Sequence, residues 1–563
     1  MTSRINPLAA IFALLVALAM LIYARAAFLT DAQWVIADDA RQFLAWTSRI
    51  ADPQAMPGNF MADYWQQTAP PFYRALLYAT VAVGMPPILL SKLLPLLLLP
   101  LSAVMAWKLS GVFARERAAQ FGGALCIIAT ALHTDSIFSG TPRAFALPLM
   151  LFAIHGMAAG RNGLAVLGLL MLGVVYPAPA ITCLGLFTLH LLQWKLPLRL
   201  SLTGGRVGLI ALAAACVVLP ALLFKSGLDI WGPTLTMSEA RGVFSMMLYD
   251  GRSSITGPHG DIAWLCSRRI GFLPSVVNCR GNADPRLLIN LCLTIVPMLL
   301  LWFWQTRGRG QAETAAGKDA ARWQLFPYSL VSAIICYLIA AAIAFKVHLP
   351  ARYSQPVLLI MGSLAFGILA GQGWERLKKS GRAVSVAIAA LCLLLALAAY
   401  ATPKTTLARP RDGALIGFIG GSPPAIRIAG IESDLDFVPA ATGRGVLATT
   451  EHDIPYHRQY HRKNSEGLRA SLQMGELTSP AAVAAIRRYR IDLLVFDRKF
   501  LETGVVPGRY LRTMAPPHQI RPSKGQLKKL RAASCRIVET RSSVLIFTGC
   551  YARLGQAASS GAK

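Results

Sequence analysis

The chain has 563 residues, 55% of them hydrophobic and 15% charged, with a mean hydropathy of +0.49. That balance excludes an ordinary soluble globular protein, in which about a quarter of residues are charged. The formal net charge of +29 would suit a nucleic-acid binder, but the basic residues stand between long apolar runs and not in one solvated stripe; they report membrane topology, and no nucleic-acid partner is expected.

A membrane-crossing helix takes roughly 20 mostly apolar residues. The sequence predicts a polytopic α-helical membrane protein with about eleven transmembrane helices, near 7–28, 87–107, 120–134, 142–159, 163–177, 178–194, 207–226, 286–304, 327–345, 356–372 and 383–400. The 120–134 segment is short for a span. The 163–194 stretch is one apolar run, divided where Tyr176-Pro177-Ala178-Pro179 breaks helical hydrogen bonding; joining its halves changes the parity. The first run is alternatively a cleaved signal peptide, since Ala24-Arg25-Ala26 resembles a small-residue cleavage site, although the run is longer than a usual signal core.

With the N-terminus inside, segments 1–6, 108–119, 159–162, 195–206, 305–326 and 372–382 carry 16 basic and 4 acidic residues. The loops 29–71, 135–143, 227–285 and 346–355 carry 10 basic and 11 acidic residues. Lys and Arg accumulate on the cytoplasmic side, so those loops lie outside, and an odd number of spans puts 401–563 outside as well. The expected organisation is a membrane domain, 1–400, with large outside loops at 29–71 and 227–285, followed by a small α/β domain, 401–563.

Six of the ten cysteines fall in or beside apolar runs, whereas Cys266 and Cys279 share one outside loop and Cys535 and Cys550 share the C-terminal segment. Two local pairs on the oxidising side predict disulfides 266–279 and 535–550, with four free thiols as the alternative. In the C-terminal segment, Ile416–Ile419, Val446–Thr449, Leu493–Phe496 and Val544–Phe547 read as short strands, and Ser479-Pro480 caps a helix through about Arg490. This segment holds 25 basic and 12 acidic residues, which suits apposition to anionic lipid headgroups or simply a solvated basic face. The sequence contains no evident internal repeat, Gly-rich phosphate loop or zinc spacing.

The residues that invite chemistry lie in the outside loops. Asp38 and Asp39 follow the first span directly, where paired carboxylates are costly unless they serve a site. Mutual repulsion favours one of them as a general base, while a helix N-terminus is the plain structural reading. Lys346, His348, Arg352 and Tyr353 occupy one outside turn and the start of a late span. Arg352 offers a planar fork for phosphate and Tyr353 a further hydrogen bond, against a reading in which Lys346 and Arg352 merely anchor span ends. Arg143 begins another span near Asp135, a possible ion-pair partner, and Asp63 is a second acidic candidate. His457 and His461 would share a helical face and could hold a metal, a weak signal without a third ligand.

The acidic pair Asp38-Asp39 in the first outside loop, the many spans and the C-terminal outside domain resemble the GT-C glycosyltransferases. Ala351-Arg352-Tyr353-Ser354-Gln355-Pro356 is similar to the Arg-Tyr…Pro segment of such enzymes. Gly140-Thr141-Pro142-Arg143 and Ala62-Asp63-Tyr64-Trp65 with Ala69-Pro70-Pro71 also look like features of bacterial members. The resemblance implies a bacterial cytoplasmic-membrane enzyme acting at its periplasmic face. Its donor would carry a sugar on a polyprenyl phosphate, and its acceptor would be a lipid-linked glycan, lipid A or core saccharide, or a protein. It further implies inversion at the anomeric carbon, a base at Asp39 or Asp38, and Arg352 on the departing phosphate. A divalent cation, Mg2+ or Mn2+, would sit at Asp38 and Asp39 if the enzyme uses one. Two rivals share the layout: a lipid-linked glycan transporter or flippase, towards which Lys92 and Pro86-Pro87 count, and a polysaccharide polymerase relying on Arg241, Arg252, Arg268, Arg269 and Arg280 of the large loop.

Overall fold

The computed structural model describes residues 6–29, 32–134, 136–192, 203–225, 229–246, 253, 255–257, 259–279, 281–307, 321–380, 400, 402, 404–508, 511, 514, 524–532 and 534–551. The chain is mostly helical. Six helices are long and apolar enough to cross a membrane: Pro7–Phe28, Pro87–Phe113, Gly204–Leu222, Arg286–Thr306, Ala321–Ala342 and Ala351–Lys378. Their starts are written locally. Asn6 caps the first helix by accepting from the Leu8 N–H, and Pro7 and Pro87 occupy first-turn positions whose N–H needs no partner.

Four more of the expected spans are shorter helices, Arg117–His133, Pro142–Ala158, Asn162–Val175 and Pro177–Leu192. The last of the eleven, 383–400, lies almost wholly outside the described residues. Tyr176 separates Asn162–Val175 from Pro177–Leu192 because Pro177 cannot donate to the preceding turn.

Inside the helical array, backbones touch. A Cβ on Gly122 would strike the Gly367 carbonyl, and one on Gly371 would strike the Ala118 carbonyl, so helix Ala351–Ser380 lies directly against Arg117–His133. Between lipid-embedded helices such small-residue contacts supply the packing that a hydrophobic driving force cannot. A Thr130–Ser363 hydroxyl hydrogen bond of 2.9 Å pins the same pair.

One end of the array carries the large loops and the C-terminal segment; we call it the sheet side. There β1 (Ile36–Ala37) pairs antiparallel with β2 (Leu407–Ala408), tying the first loop to the start of the C-terminal segment. Beyond it, β3 (Arg427–Ile431), β4 (Gly445–Val446), β5 (Leu493–Asp497), β6 (Ile537–Glu539) and β7 (Ser543–Phe547) form a sheet in the order β4-β3-β5-β7-β6. β3 is parallel to β4 and β5, and β7 is antiparallel to β5 and β6. β3 and β5 are apolar almost throughout because both faces of the sheet centre are covered.

Helix Pro480–Tyr489 begins at the Ser479 cap, whose oxygen accepts from Ala482 N–H at 3.1 Å. One expected strand is instead a helix: Ile416–Ile419 lies within Gly413–Gly420. Asp412 caps it through Leu415 N–H, and the buried side chains Leu415, Ile416 and Ile419 follow helical spacing, which four residues of apolar sequence do not distinguish from a strand. The expected strand at Val446–Thr449 is shorter, pairing only through Val446. Disulfides join Cys266 to Cys279 and Cys535 to Cys550.

The sheet-bearing segment is packed onto the loops. Tyr64 stacks on Tyr460 at 3.6 Å, Asn59 donates to the Val446 carbonyl, and the Trp231 indole donates to Gln67. Trp46, Met56 and Trp65 of the first loop share a continuous apolar core with Ile416, Ile428 and Val446.

Candidate functional site

A cavity of about 340 Å³ opens on the sheet side of the array. Its polar wall carries Asp38, Asp39, Arg143, Arg268, Arg269 and Arg352, and its apolar wall carries Ile127, Ala131, Leu147, Met150, Leu359 and Ile360. Tyr176, Thr134, Ser136, Ser275 and Gln355 also line it.

The two carboxylates stand in the first turn of helix Asp38–Leu44, where the helix dipole favours negative charge. This seven-residue helix has no side-chain cap of its own. Its position comes from elsewhere: Asp38 N–H donates to the Thr406 carbonyl at 3.1 Å, and Gln42 Nε2 donates to both the carbonyl and Oε1 of Glu451, at 2.8 and 2.7 Å. Arg41 Nη2 lies 3.1 Å from Asp38 Oδ1 and 3.6 Å from Glu451 Oε2, with its guanidinium over the Phe437 ring.

Arg143 reaches the cavity from a tight corner. Gly140 has φ +60°, and a Cβ there would strike the Ser91 carbonyl, so glycine alone fits the approach. Tyr73 hydroxyl donates to the Gly140 carbonyl at 2.9 Å, and the Pro142–Phe145 turn then presents Arg143 Nη2 at 2.7 Å from Asp39 Oδ2. The alternative partner, Asp135, lies outside the described residues.

Arg352 opens helix Ala351–Ser380 on the opposite wall. Its Nε is buried with no hydrogen-bond partner, and the side chain forms no ion pair among the described residues. Beside it, the loop closed by Cys266–Cys279 brings in Arg268 and Arg269. Gln355 Nε2 lies 2.8 to 2.9 Å from the carbonyls of Ser267, Gly271 and Leu273, and Ser354 hydroxyl donates to the Phe272 carbonyl. Asn290 holds Val277 from a third helix. The loop is thus docked on the span that carries Arg352.

Other residues expected at the site lie elsewhere. Tyr353 is one residue from Arg352 and therefore about 100° around the helix; its hydroxyl donates to the Val347 carbonyl and its ring packs with Ala178 and Ala340, away from the cavity. Asp63 pairs with Arg49, which also donates to the Ala55 and Met56 carbonyls, so this carboxylate braces the loop. Lys346 is exposed and does not line the cavity.

His348 sits in a tight turn with Phe345, both at positive φ, 70° and 69°. It keeps an accessible face. Surrounding protein, and then the charges of Arg352, Arg269 and Arg143 with His457 nearby, hold its imidazole below the ordinary histidine range. His457 and His461 do not share a metal: His457 Nδ1 meets the Tyr64 hydroxyl at 3.0 Å and His461 pairs with Asp453 at 2.9 Å. No three His, Cys, Asp or Glu groups converge among the described residues. Asp38 and Asp39 each face an arginine, a donor set unlike that of a dedicated cation centre.

No protein-family model matches the chain, and no curated protein matches its sequence. Function must therefore be argued from the cavity.

The sequence points to Arg268 and Arg269 only through the polymerase alternative, and gives no indication of Tyr176 in the lining or of Glu451 behind it. The signal for the arginines was available, as adjacent cations bracketed by a local cysteine pair. None existed for Glu451, whose partner Gln42 is 409 residues away. Chemically, the cavity pairs carboxylates that can accept a proton with guanidiniums that can hold an anion, against a wall that suits hydrocarbon.

Proposed function

We propose that the protein is a GT-C-like membrane glycosyltransferase that moves a sugar from a polyprenyl-phosphate donor to a hydroxyl acceptor at the outer face of a bacterial cytoplasmic membrane. The observation that carries this reading is the make-up of one cavity: carboxylates and arginines at the sheet side, and an apolar wall of spanning helices beneath them. An amphiphile with an anionic head and a hydrocarbon tail matches both walls, whereas a soluble sugar nucleotide has nothing to place against Ile127, Met150 and Leu359.

In this reaction the acceptor hydroxyl attacks the anomeric carbon and its proton passes to Asp39, with Asp38 beside it. The bond from that carbon to the phosphate oxygen breaks, and the departing lipid phosphate keeps the electron pair. Arg352 and Arg269, neither of which has a carboxylate partner among the described residues, stabilise the growing negative charge. Attack from the face opposite the phosphate gives inversion.

The same reading places the N-terminus in the cytoplasm and the sheet-bearing segment, as an α/β domain, in the periplasm. Three features support it. The loops that hold few basic residues all gather on the sheet side; the disulfides lie there; and Gly371 meets Ala118 at one end of helix Arg117–His133 while Lys404 N–H donates to the Leu132 carbonyl at the other, so residues 371 and 404 stand at opposite ends of the array.

A polymerase is the second reading, favoured by Arg268 and Arg269 at the cavity. Purified protein in nanodiscs, given a panel of radiolabelled polyprenyl-phosphate sugars and total membrane lipid acceptors, separates the two. Transfer of single sugars that Asp39→Ala or Asp38→Ala abolishes supports the transferase. Joining of whole repeat units that survives both substitutions and fails in Arg269→Ala replaces it with the polymerase.

A further inference from the structure

A single stretch of the C-terminal segment reaches both walls of the cavity. At its start, Glu451 holds helix Asp38–Leu44 through Gln42 and Arg41, as described above. At its end, Tyr456 stacks on Phe345, ring centroids 5.6 Å apart and planes 16° apart, and meets the edge of His348 at 5.4 Å. Those two residues form the turn that launches the Arg352 helix.

The stretch between is clamped almost residue by residue. Asp436 Oδ1 accepts from Glu451 N–H, His452 Nδ1 meets Thr449 hydroxyl at 2.7 Å, Tyr460 hydroxyl donates to the His452 carbonyl at 2.6 Å, and buried Asp453 pairs with His461. The Tyr456 carbonyl accepts from Leu235 N–H at 2.9 Å, which joins the large loop to the same stretch. A segment held this tightly has a fixed length; one end contacts the helix that carries the acidic pair, and the other contacts the turn that precedes the Arg352 helix.

We propose that residues 451–456 are a positioning strap that sets the separation between the Asp38–Asp39 carboxylates and Arg352, with Glu451 and Tyr456 as positioning residues for transfer. The proposal rests on the glycosyltransferase reading for its chemistry. Neither side chain lines the cavity, so both act through what they hold. The function of the C-terminal segment is then part of catalysis and not only acceptor docking. Because misplacement of reacting groups by about 1 Å can cost about a hundredfold in rate, a strap of this kind affects turnover far more than donor affinity.

The test compares wild type, Glu451→Ala, Glu451→Gln, Tyr456→Ala and Tyr456→Phe, each full length in nanodiscs. Three quantities are read: affinity for undecaprenyl phosphate, kcat and KM for transfer, and hydrogen–deuterium exchange at residues 38–44 and 345–349. Glu451→Ala and Tyr456→Ala are expected to lower kcat at least about tenfold while undecaprenyl phosphate affinity changes less than about twofold. Exchange rises at 38–44 in the first and at 345–349 in the second. Glu451→Gln keeps an acceptor for Gln42 and loses less, and Tyr456→Phe keeps the ring stack and restores kcat. Unchanged kcat in both alanine variants overturns the strap, as does a loss of kcat matched by equal losses of binding and of protection throughout the chain. If wild type transfers no sugar, the glycosyltransferase reading fails by itself; exchange then decides the strap, which stands if the two segments loosen and falls if they do not.

Discussion

The two walls of the cavity are built by different means. The arginine wall is one end of a 30-residue helix, packed backbone to backbone on its neighbour and overlaid by a disulfide-closed loop that Gln355, Ser354 and Asn290 hold in place. The acidic wall is a seven-residue helix with no cap, fixed by β1–β2 pairing and by polar contacts to Glu451. Close packing resists local change because every displacement opens a void or a clash. A short helix on polar tethers does not resist in that way, and its geometry depends on residues far along the chain. The cavity therefore has a stiff half and a tethered half, which the proposed reaction would use for binding and for proton transfer respectively.

Four experiments would break or sharpen that contrast. The largest effect is expected at the tethered half: Asp39→Ala should lower transfer by about 10²–10⁴-fold, the usual contribution of a general base, while undecaprenyl phosphate affinity stays near wild type. Equal losses in rate and affinity would move Asp39 into the binding wall. At the stiff half, Arg352→Ala should weaken undecaprenyl phosphate binding by about 10–100-fold, and Arg352→Lys should recover little because it lacks the planar fork. Full recovery by lysine would reduce Arg352 to a point charge.

The packing claim is tested by Gly367→Val, whose side chain must displace the Gly122 backbone; thermal unfolding should show a loss of about 1–3 kcal/mol or more. Gly163→Ala, where a Cβ meets nothing within 4 Å, should be neutral or stabilise by up to about 1 kcal/mol. Similar melting temperatures for the two would contradict backbone contact between the helices.

The smallest effect concerns the sheet that holds the tethers. Glu432 follows β3, and burial, then the neighbouring carboxylates of Asp434 and Asp497, raise it to about 7. Its folded-state value lies above the unfolded one, so folding takes up a proton. The stabilisation is complete below the unfolded carboxylate range near pH 4.5 and drains away as pH rises through 7. Glu432→Gln should flatten that slope and raise the melting temperature at pH 8 by about 3 °C. An unchanged pH slope would mean that Glu432 is ionised in the fold.

What the sequence disclosed follows from range. Asp38, Asp39, Arg143 and Arg352 were legible because a charge at the end of an apolar span is expensive wherever the chain goes next. Tyr353 was misjudged because adjacency in sequence is not adjacency on a helix, and Asp63 because its partner Arg49 lies across a turn that composition does not reveal. Spans and cysteine pairs depend on local composition and could be read, whereas Ile416–Ile419 is too short an apolar run to fix its own periodicity. The meeting of Glu451 with Gln42 could not be read at all, since nothing in either neighbourhood specifies the other.

That last contact also has a consequence in time. Gln42 leaves the ribosome 409 residues before Glu451, which at about 5–20 residues per second is an interval of roughly 20–80 s. Throughout it the acidic residues are already made but their holder does not exist, so a nascent or stalled chain lacks the contacts that fix helix Asp38–Leu44. Synthesis of the stretch around Glu451 is therefore the event that completes the cavity's acidic wall.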